Sequence, residues 1–542
     1  MAVIEERLHH AVALHQSGVR DQAAAAYRDV LALAPDEPNA LHLLGLLLCE
    51  DGAPDQGLSL IGRARALHPD VAPIAFNHGN VLMKLDRADE AVAEYQAALR
   101  LAPEDVAAWH NLARALLEID RTEEALDAAE AGLALEPLMP GLHVAHGLAL
   151  QRLDQPEAAL LSLAAAQALA PADPEVHAQR ACVLYAQGDW PATLNSFAAA
   201  LALNPDHVFT LYNLARVHHE MGDPQTALQI YDRAAVADPG HAPTLWNRQM
   251  CRLLAGDYSR WPQRWSIDPN APSRPFVMPK WDGTSLAGRR ILLHVAQGLG
   301  DTLQFCRFVE QIAAEADQVV LEVQPPLVRL MRRSFDVQII AQAEPHRPVD
   351  WHCDLVELPG LIGLTWDSIP ARIPYLKADP SPWRARLNAL PGRKIGLVWA
   401  GAARLGQRAN TRVDRRRSMT AARLAPLSHV PGLHLISLQK GPPADQAGDI
   451  PGLIDWTDEL DDFADTADLV AGLDLVISVD TSTAHVAAAL GVPVWLLNRF
   501  DTCWRWGLGR DDSPWYPGLR QFRQAAPGDW GGVIARVIAA LG

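Results

Sequence analysis

Side chains able to hold an anion cluster in one short stretch of this chain. The apolar run Leu473–Ser478 leads into Asp480, Thr481, Ser482 and Thr483, then a helix-compatible segment containing His485. Gly491 and Pro493 follow, and a second apolar run covers Val494–Leu497. Strand, turn, helix and strand at this spacing read as one βαβ unit. Free backbone N–H groups, hydroxyls and the helix dipole would converge where the helix starts, which suits a phosphate above all. The plainer alternative is that the hydroxyls only cap the helix. A lone helical histidine is more often structural than catalytic, so His485 carries both readings.

Three further stretches carry chemistry. QGLGDTLQF follows an apolar run, and Gly298 and Gly300 permit a tight turn before Asp301, which is placed at the start of a helix. An aspartate there is commonly just a cap. After GLVWAG, six arginines (404, 408, 412, 415, 416 and Arg417) stand against one acid, Asp414. In an acidic protein that positive loop needs a reason, and arginine grips phosphate oxygens with a planar fork; the alternative is a solvated loop. SLQKG puts Lys440 and Gly441 at the end of another apolar run, where Lys440 could neutralise a leaving phosphate or simply face water. Near the C-terminus Trp504, Trp506, Trp515 and Tyr516 could stack on a base or sugar, or anchor the last helix to the body, which is the preferred reading for Trp515 and Tyr516.

The elements that position these residues fall into two halves. Prolines recur at 35, 69, 103, 137, 171, 205 and 239, a step of 34 residues that belongs to the tetratricopeptide repeat. In the same register Gly45, Gly79, Ala113, Gly147, Ala181 and Ala215 mark the close crossing of paired helices, matched by Ala91, Ala125, Ala159 and Ala227, with Tyr27, Tyr95, Phe197 and Tyr231 as filler one turn later. Such pairs bury their apolar faces by stacking into a superhelix whose groove suits a protein segment. Asn77, Asn111, Gln179, Asn213 and Asn247 lie eight residues after a repeat proline. A ladder of amides there could hold an extended peptide backbone, or serve helix packing alone.

The alanine-rich rhythm stops near Gly256, and thirteen of the sixteen tryptophans lie beyond it. A proline-rich linker over 254–290 gives way to apolar runs at 291–296, 318–323, 337–341, 394–400, 433–438, 474–479 and 494–497. Helical segments between them (DTLQFCRFVEQIAAEA, PPLVRLMRRSF and the stretch around DDFADTADLVAGL) imply parallel sheets covered on both faces. The expectation is an α-solenoid of tetratricopeptide repeats over 1–253, then an α/β GT-B fold of two Rossmann-like lobes, 291–385 and 386–542.

Composition narrows the function. A hydrophobic share of 49% and a charged share of 20% describe an ordinary globular protein. The net charge of −17 argues against nucleic acid as a partner. Six scattered cysteines without a C-x-x-C pair read as reduced thiols, and no run reaches membrane-spanning length. Without a signal-like N-terminus, a cytoplasmic protein is expected.

Residues G-L-G-D-T (298–302), the Lys-Gly of SLQKG and D-T-S-T-A-H (480–485) resemble the ADP-heptose–lipopolysaccharide heptosyltransferase superfamily. The whole layout is similar to bacterial tetratricopeptide proteins with a fused glycosyltransferase, including flagellin glycosyltransferases, and to eukaryotic protein O-GlcNAc transferase. The resemblance implies a glycosyltransferase with Asp301 as catalytic base. It places Lys440 and the Asp480–His485 corner on the donor-phosphate side. The longer arginine-rich loop departs from heptosyltransferases and leaves the donor sugar open. No Asp-x-Asp is present, which fits a metal-independent enzyme that needs no cofactor beyond its nucleotide-sugar donor. Protein O-glycosylation, with a protein acceptor such as flagellin held by the repeats, is the leading expectation. A small or lipid-linked acceptor and a non-catalytic scaffold are the alternatives.

Overall fold

The computed structural model describes residues 2–262, 274–370, 372–401 and 414–542. Part of the linker and the arginines at 404, 408 and 412 lie outside the described residues.

Fifteen helices run from α1 (Ala2–Gln16) to α15 (Ala242–Leu254). The small residues of the 34-residue register sit where helices cross. A Cβ on Gly45 would come within 2.6 Å of Ile61 and 2.9 Å of the Gly57 carbonyl, and one on Gly79 within 2.8 Å of the Tyr95 ring. Tyr27, Tyr95, Phe197 and Tyr231 fill the buried space beside them. A second series of the same period governs the turns. Gly18, Gly52, Asp86, Asp120, Asp154, Gly188, Gly222 and Gly256 all adopt φ between 57° and 83°. This left-handed conformation ends one helix and redirects the chain into its partner, and glycine enters it without steric cost. The repeat prolines lie just past the second helix of each pair and stop it.

Compactness divides the chain into Met1–Thr210 and Leu211–Gly542. The second unit therefore holds most of α13 (Val208–Glu220), with α14 (Pro224–Ala237), α15 and the α/β region. Leu253 and Leu254 of α15 belong to the same buried cluster as Tyr258, Trp261, Ile291 and Trp504.

Two parallel sheets form the α/β region. The first has the order β3-β2-β1-β4, from β1 (Arg290–His294), β2 (Gln318–Val323), β3 (Gln338–Ala341) and β4 (Trp351–Asp354). The second runs β6-β5-β7-β8-β9, from β5 (Arg393–Val398), β6 (Leu433–Ser437), β7 (Leu475–Val479), β8 (Val494–Asn498) and β9 (Leu519–Arg523). The seven expected strands are present, and β4 and β9 are additions. Every residue of β7 is buried, as a strand covered on both faces must be. The segment DTLQFCRFVEQIAAEA is not one helix. It forms Leu299–Phe305 and Val309–Glu315, with a tighter turn at Cys306–Phe308 between them.

Strand order marks the edge at which sheets of this kind take ligands. In an open parallel sheet it lies at the carboxyl ends of the two strands where the winding direction reverses. That point falls between β1 and β4 in the first sheet and between β5 and β7 in the second.

The position of α15 generates a test. A fragment starting just before α13, near residue 205, is expected to be soluble with a cooperative thermal transition. A fragment starting at 254 strips cover from Tyr258 and Trp261 and should aggregate; equal solubility of the two fragments would contradict this packing.

Candidate functional site

The turn after β1 reaches the first reversal point. Gly298 precedes the helix Leu299–Phe305, and its N–H donates to Asp301 Oδ2 at 3.1 Å. Asp301 is thus the third helical residue, folded back on the turn, not the first as expected. Its Oδ1 accepts from Arg505 Nη2. Arg505 also donates through Nε to Gln304 Oε1 at 2.7 Å and through Nη1 to Cys503 Sγ at 3.2 Å, and lies over the Trp504 ring at 4.4 Å. Burial opposes its charge, but Asp301 and Cys503 outweigh that and hold the guanidinium firmly protonated.

The turn after β7 reaches the second reversal point. Thr481 precedes the helix Ser482–Ala489, and its side chain makes no capping bond to that helix. The capping alternative therefore fails for Thr481, whose hydroxyl meets Ser478 Oγ at 3.0 Å instead. His485 is buried, hydrogen-bonded through Nδ1 to the Tyr516 hydroxyl at 2.8 Å and stacked on Trp506 with centroids 5.3 Å apart. Burial lowers its pKa to about 4, so the ring is neutral near pH 7.

These two turns meet. A Cβ on Gly300 would lie 3.1 Å from His485 Cδ2 and 3.9 Å from Ser482 Cα. Glycine at 300 is what lets the backbone of one sheet's loop approach the other's helix. Asp480, Asp301, Arg505 and Arg307 all lie within electrostatic reach of His485.

Arg417 completes the second corner. Its Nη1 donates to the Asp480 carbonyl at 3.1 Å, and it pairs with Asp414 at 2.7 Å. The guanidinium lies flat against Gly401, where a Cβ would come within 2.6 Å. Arg416 pairs with Asp501 at 2.9 Å and with Glu220, at the end of α13, at 2.6 Å. The Nε of Arg416, Arg417 and Arg499 is buried and without a hydrogen-bond partner among the described residues. Unsatisfied guanidinium N–H groups at a sheet's carboxyl edge fit an anionic ligand. Lys440 stands apart: it is exposed at the end of β6 and its Nζ donates to the Thr457 carbonyl at 2.7 Å.

The stacking reading of the tryptophans is corrected. Trp504, Trp506, Trp515 and Tyr516 are all buried. Trp504 and Trp515 pack edge-on against Trp261 and Phe305 respectively, at 5.6 and 5.8 Å. No face is left for a base or sugar, and the rings tie the C-terminal segment to the first sheet's side instead of anchoring the last helix.

Among the five amide positions, Asn77 Nδ2 bonds His42 Nε2 at 3.0 Å and Asn111 Nδ2 donates to Asn80 Oδ1 at 2.8 Å. Gln179 donates to Glu175, and Asn247 Nδ2 to the Tyr212 hydroxyl at 3.0 Å. Asn213 is buried. Four of the five amides thus have partners within the repeats in this conformation.

Sequence reasoning missed three residues. Arg307 is buried and donates to the carbonyls of Gln304 (2.8 Å), Pro370 (3.2 Å) and Trp515 (2.8 Å) and to the Tyr375 hydroxyl (3.1 Å). Asp354, at the end of the unforeseen β4, has its pKa raised by burial to about 7 and senses Asp301. Arg505 stood in view within W-R-W, but nothing local assigns its partner 204 residues away.

Comparison with known proteins follows the same division. The tetratricopeptide repeat family matches residues 76–140 and 178–242. Glycosyltransferase family 9 (heptosyltransferase) matches 461–498, the span from before β7 through β8. The chain is a tetratricopeptide-repeat protein with a glycosyltransferase-like C-terminal domain. Protein FlbA of Caulobacter vibrioides is 28% identical over 303 residues, covering 50% of this chain and 49% of FlbA. The chain therefore spans about half the length of the curated relative it matches. Solved structures similar to it include a tetratricopeptide protein from Parabacteroides merdae (12% identity, TM-score 0.43, 46% of this chain and 99% of that one). Another is a thermophilic tetratricopeptide protein of Thermus thermophilus (22% identity, TM-score 0.30, 33% and 98%).

Two measurements test the local energetics. Arg307→Met removes the donor that three carbonyls and the Tyr375 hydroxyl share, and urea unfolding should show a loss of about 3–5 kcal/mol. Neutral His485 contributes stability above the unfolded-state pKa of about 6.5, and that contribution is lost as pH falls toward 4. Between pH 7 and 4 the wild type should lose up to about 3 kcal/mol more stability than His485→Asn; parallel profiles would contradict a buried neutral ring.

Proposed function

We propose that this protein is a metal-independent protein O-glycosyltransferase of GT-B type, using a nucleotide-sugar donor. The observation that carries the reading is the meeting of the Gly298–Asp301 turn with the Thr481–His485 turn, each at its sheet's reversal point. An acid and an anion-binding corner then share one crevice between two parallel sheets. The match to glycosyltransferase family 9 over 461–498 supports the donor side.

In the reaction, an acceptor hydroxyl oxygen attacks the anomeric carbon as Asp301 takes its proton. The bond from that carbon to the phosphate oxygen breaks, and its electron pair leaves with the nucleotide. Arg417 and the backbone N–H groups at Ser482 and Thr483 meet the departing charge, fixed dipoles needing little reorganisation. Gly298 and Gly300 keep the acid's turn close to that corner, and Asp480 holds Arg417 through its carbonyl. His485 works from behind, packed against Gly300. Lys440 reaches the site only by leaving the Thr457 carbonyl. The protein acceptor, for which flagellin is the proposal drawn from resemblance, would be captured by the repeats. Asn77, Asn111, Gln179, Asn213 and Asn247 would have to exchange internal partners to hold its backbone.

Asp301→Asn is expected to reduce sugar transfer by roughly 10²-fold or more while donor binding persists. Intact-mass measurement of acceptor proteins from cells with the wild type or the variant reads this out. A sugar increment undiminished in the variant would remove Asp301 from the base role.

A further inference from the structure

We propose that Arg505 is a donor-phosphate ligand that occupies Asp301 until the donor arrives, so that nucleotide binding itself releases the base. This deepens the transferase reading and rests on it. Arg505 lies on the chain segment after β8, yet its Nη2 sits on Asp301 Oδ1, across the seam in the turn after β1. It also feels the charge of Asp480 at the second corner. One guanidinium therefore stands in the field of both acids that flank the crevice.

Its remaining contacts fix where it can go. Nε is tied to Gln304 Oε1 and the guanidinium lies over Trp504, and Trp504 is itself buried. The fork is held in place at its Nε side, while Nη2 meets a carboxylate that remains partly exposed, at 23% of its side-chain area. Guanidinium has five N–H donors, and three are engaged by Asp301, Gln304 and Cys503. A phosphate entering beside Asp480 offers more charge than one carboxylate and can be gripped in bidentate fashion. As the planar group pivots about its Cδ–Nε bond, Nη2 swings to the phosphate and Asp301 Oδ1 loses its donor, and Oδ2 keeps the Gly298 N–H that orients the carboxylate. The freed lone pair is then the one an acceptor hydroxyl can address. The order of events follows from charge alone: donor first, base second.

Titration calorimetry of the full-length protein with inorganic pyrophosphate tests this. Asp301→Asn removes Arg505's competing counter-charge with hardly any change of shape, and should tighten pyrophosphate binding about fivefold or more. Arg505→Ala and Arg505→Lys should weaken it about tenfold. Misfolding of an Arg505 variant cannot mimic the tightening in Asp301→Asn, so that arm decides alone if needed. Unchanged or weaker binding in Asp301→Asn would overturn the proposal. The expected pyrophosphate pattern in a protein that transfers sugar to no acceptor would instead sink the transferase reading and leave the phosphate site standing.

Discussion

A single buried guanidinium, that of Arg307, ties together the segments that carry Asp301 and that hold His485. It sits among the faces of Tyr375, Trp515 and Tyr516 at 4.8, 5.3 and 4.8 Å. Carbonyl oxygens from three separate segments accept its N–H groups. A buried charge is tolerable only when its hydrogen bonds are satisfied, so these segments cannot separate without stranding it. One carries Asp301, six residues upstream of Arg307, and another carries Tyr516, which holds His485. Through this cation the distance between Asp301 and the Thr481–His485 turn becomes a property of the core.

Around that anchor the two sheets are joined by charge at their rims. Arg329 pairs with Asp462 and Asp465 at 3.2 and 3.0 Å, and Arg333 with Asp468. The Tyr375 N–H donates to the Ala489 carbonyl at 3.1 Å, joining the connector to the end of the helix Ser482–Ala489. In a chain with net charge −17, Arg415, Arg416 and Arg417 lie in the segment after β5 and Arg499 and Arg505 in the segment after β8. Field focusing in a low-dielectric cleft makes such local excess matter more than the global balance.

Much of this was legible beforehand, for steric reasons. A crossing that admits no Cβ demands Gly or Ala at fixed spacing, so the repeats announce themselves in one dimension. Buried parallel strands need continuous apolar runs, so seven of them stood out. Two did not: Trp351–Asp354 is four residues with His and Asp among them, and Leu519–Arg523 carries two arginines. Their strand state comes from neighbours, β1 and β8, that supply the hydrogen bonds. The strand, turn and helix around Asp480–His485 were readable because such a unit is local. The partner of Asp301 was not, since long-range ion pairs leave no periodic trace. Aromatic residues misled because a buried tryptophan and a ligand-stacking one have the same letter and differ only in what covers them.

The docking of α15 into the core beneath Trp504 bears on how this kind of chain can evolve. Duplication or loss of a 34-residue module leaves a solenoid intact wherever each module meets only its like. The modules after Thr210 meet something else, and their outward faces are committed to tryptophans and a charge network around Glu220 and Arg416. Lineages descended from a common ancestor of this chain should then vary in repeat number at the amino-terminal end, with the last modules inherited as a fixed collar of the α/β domain.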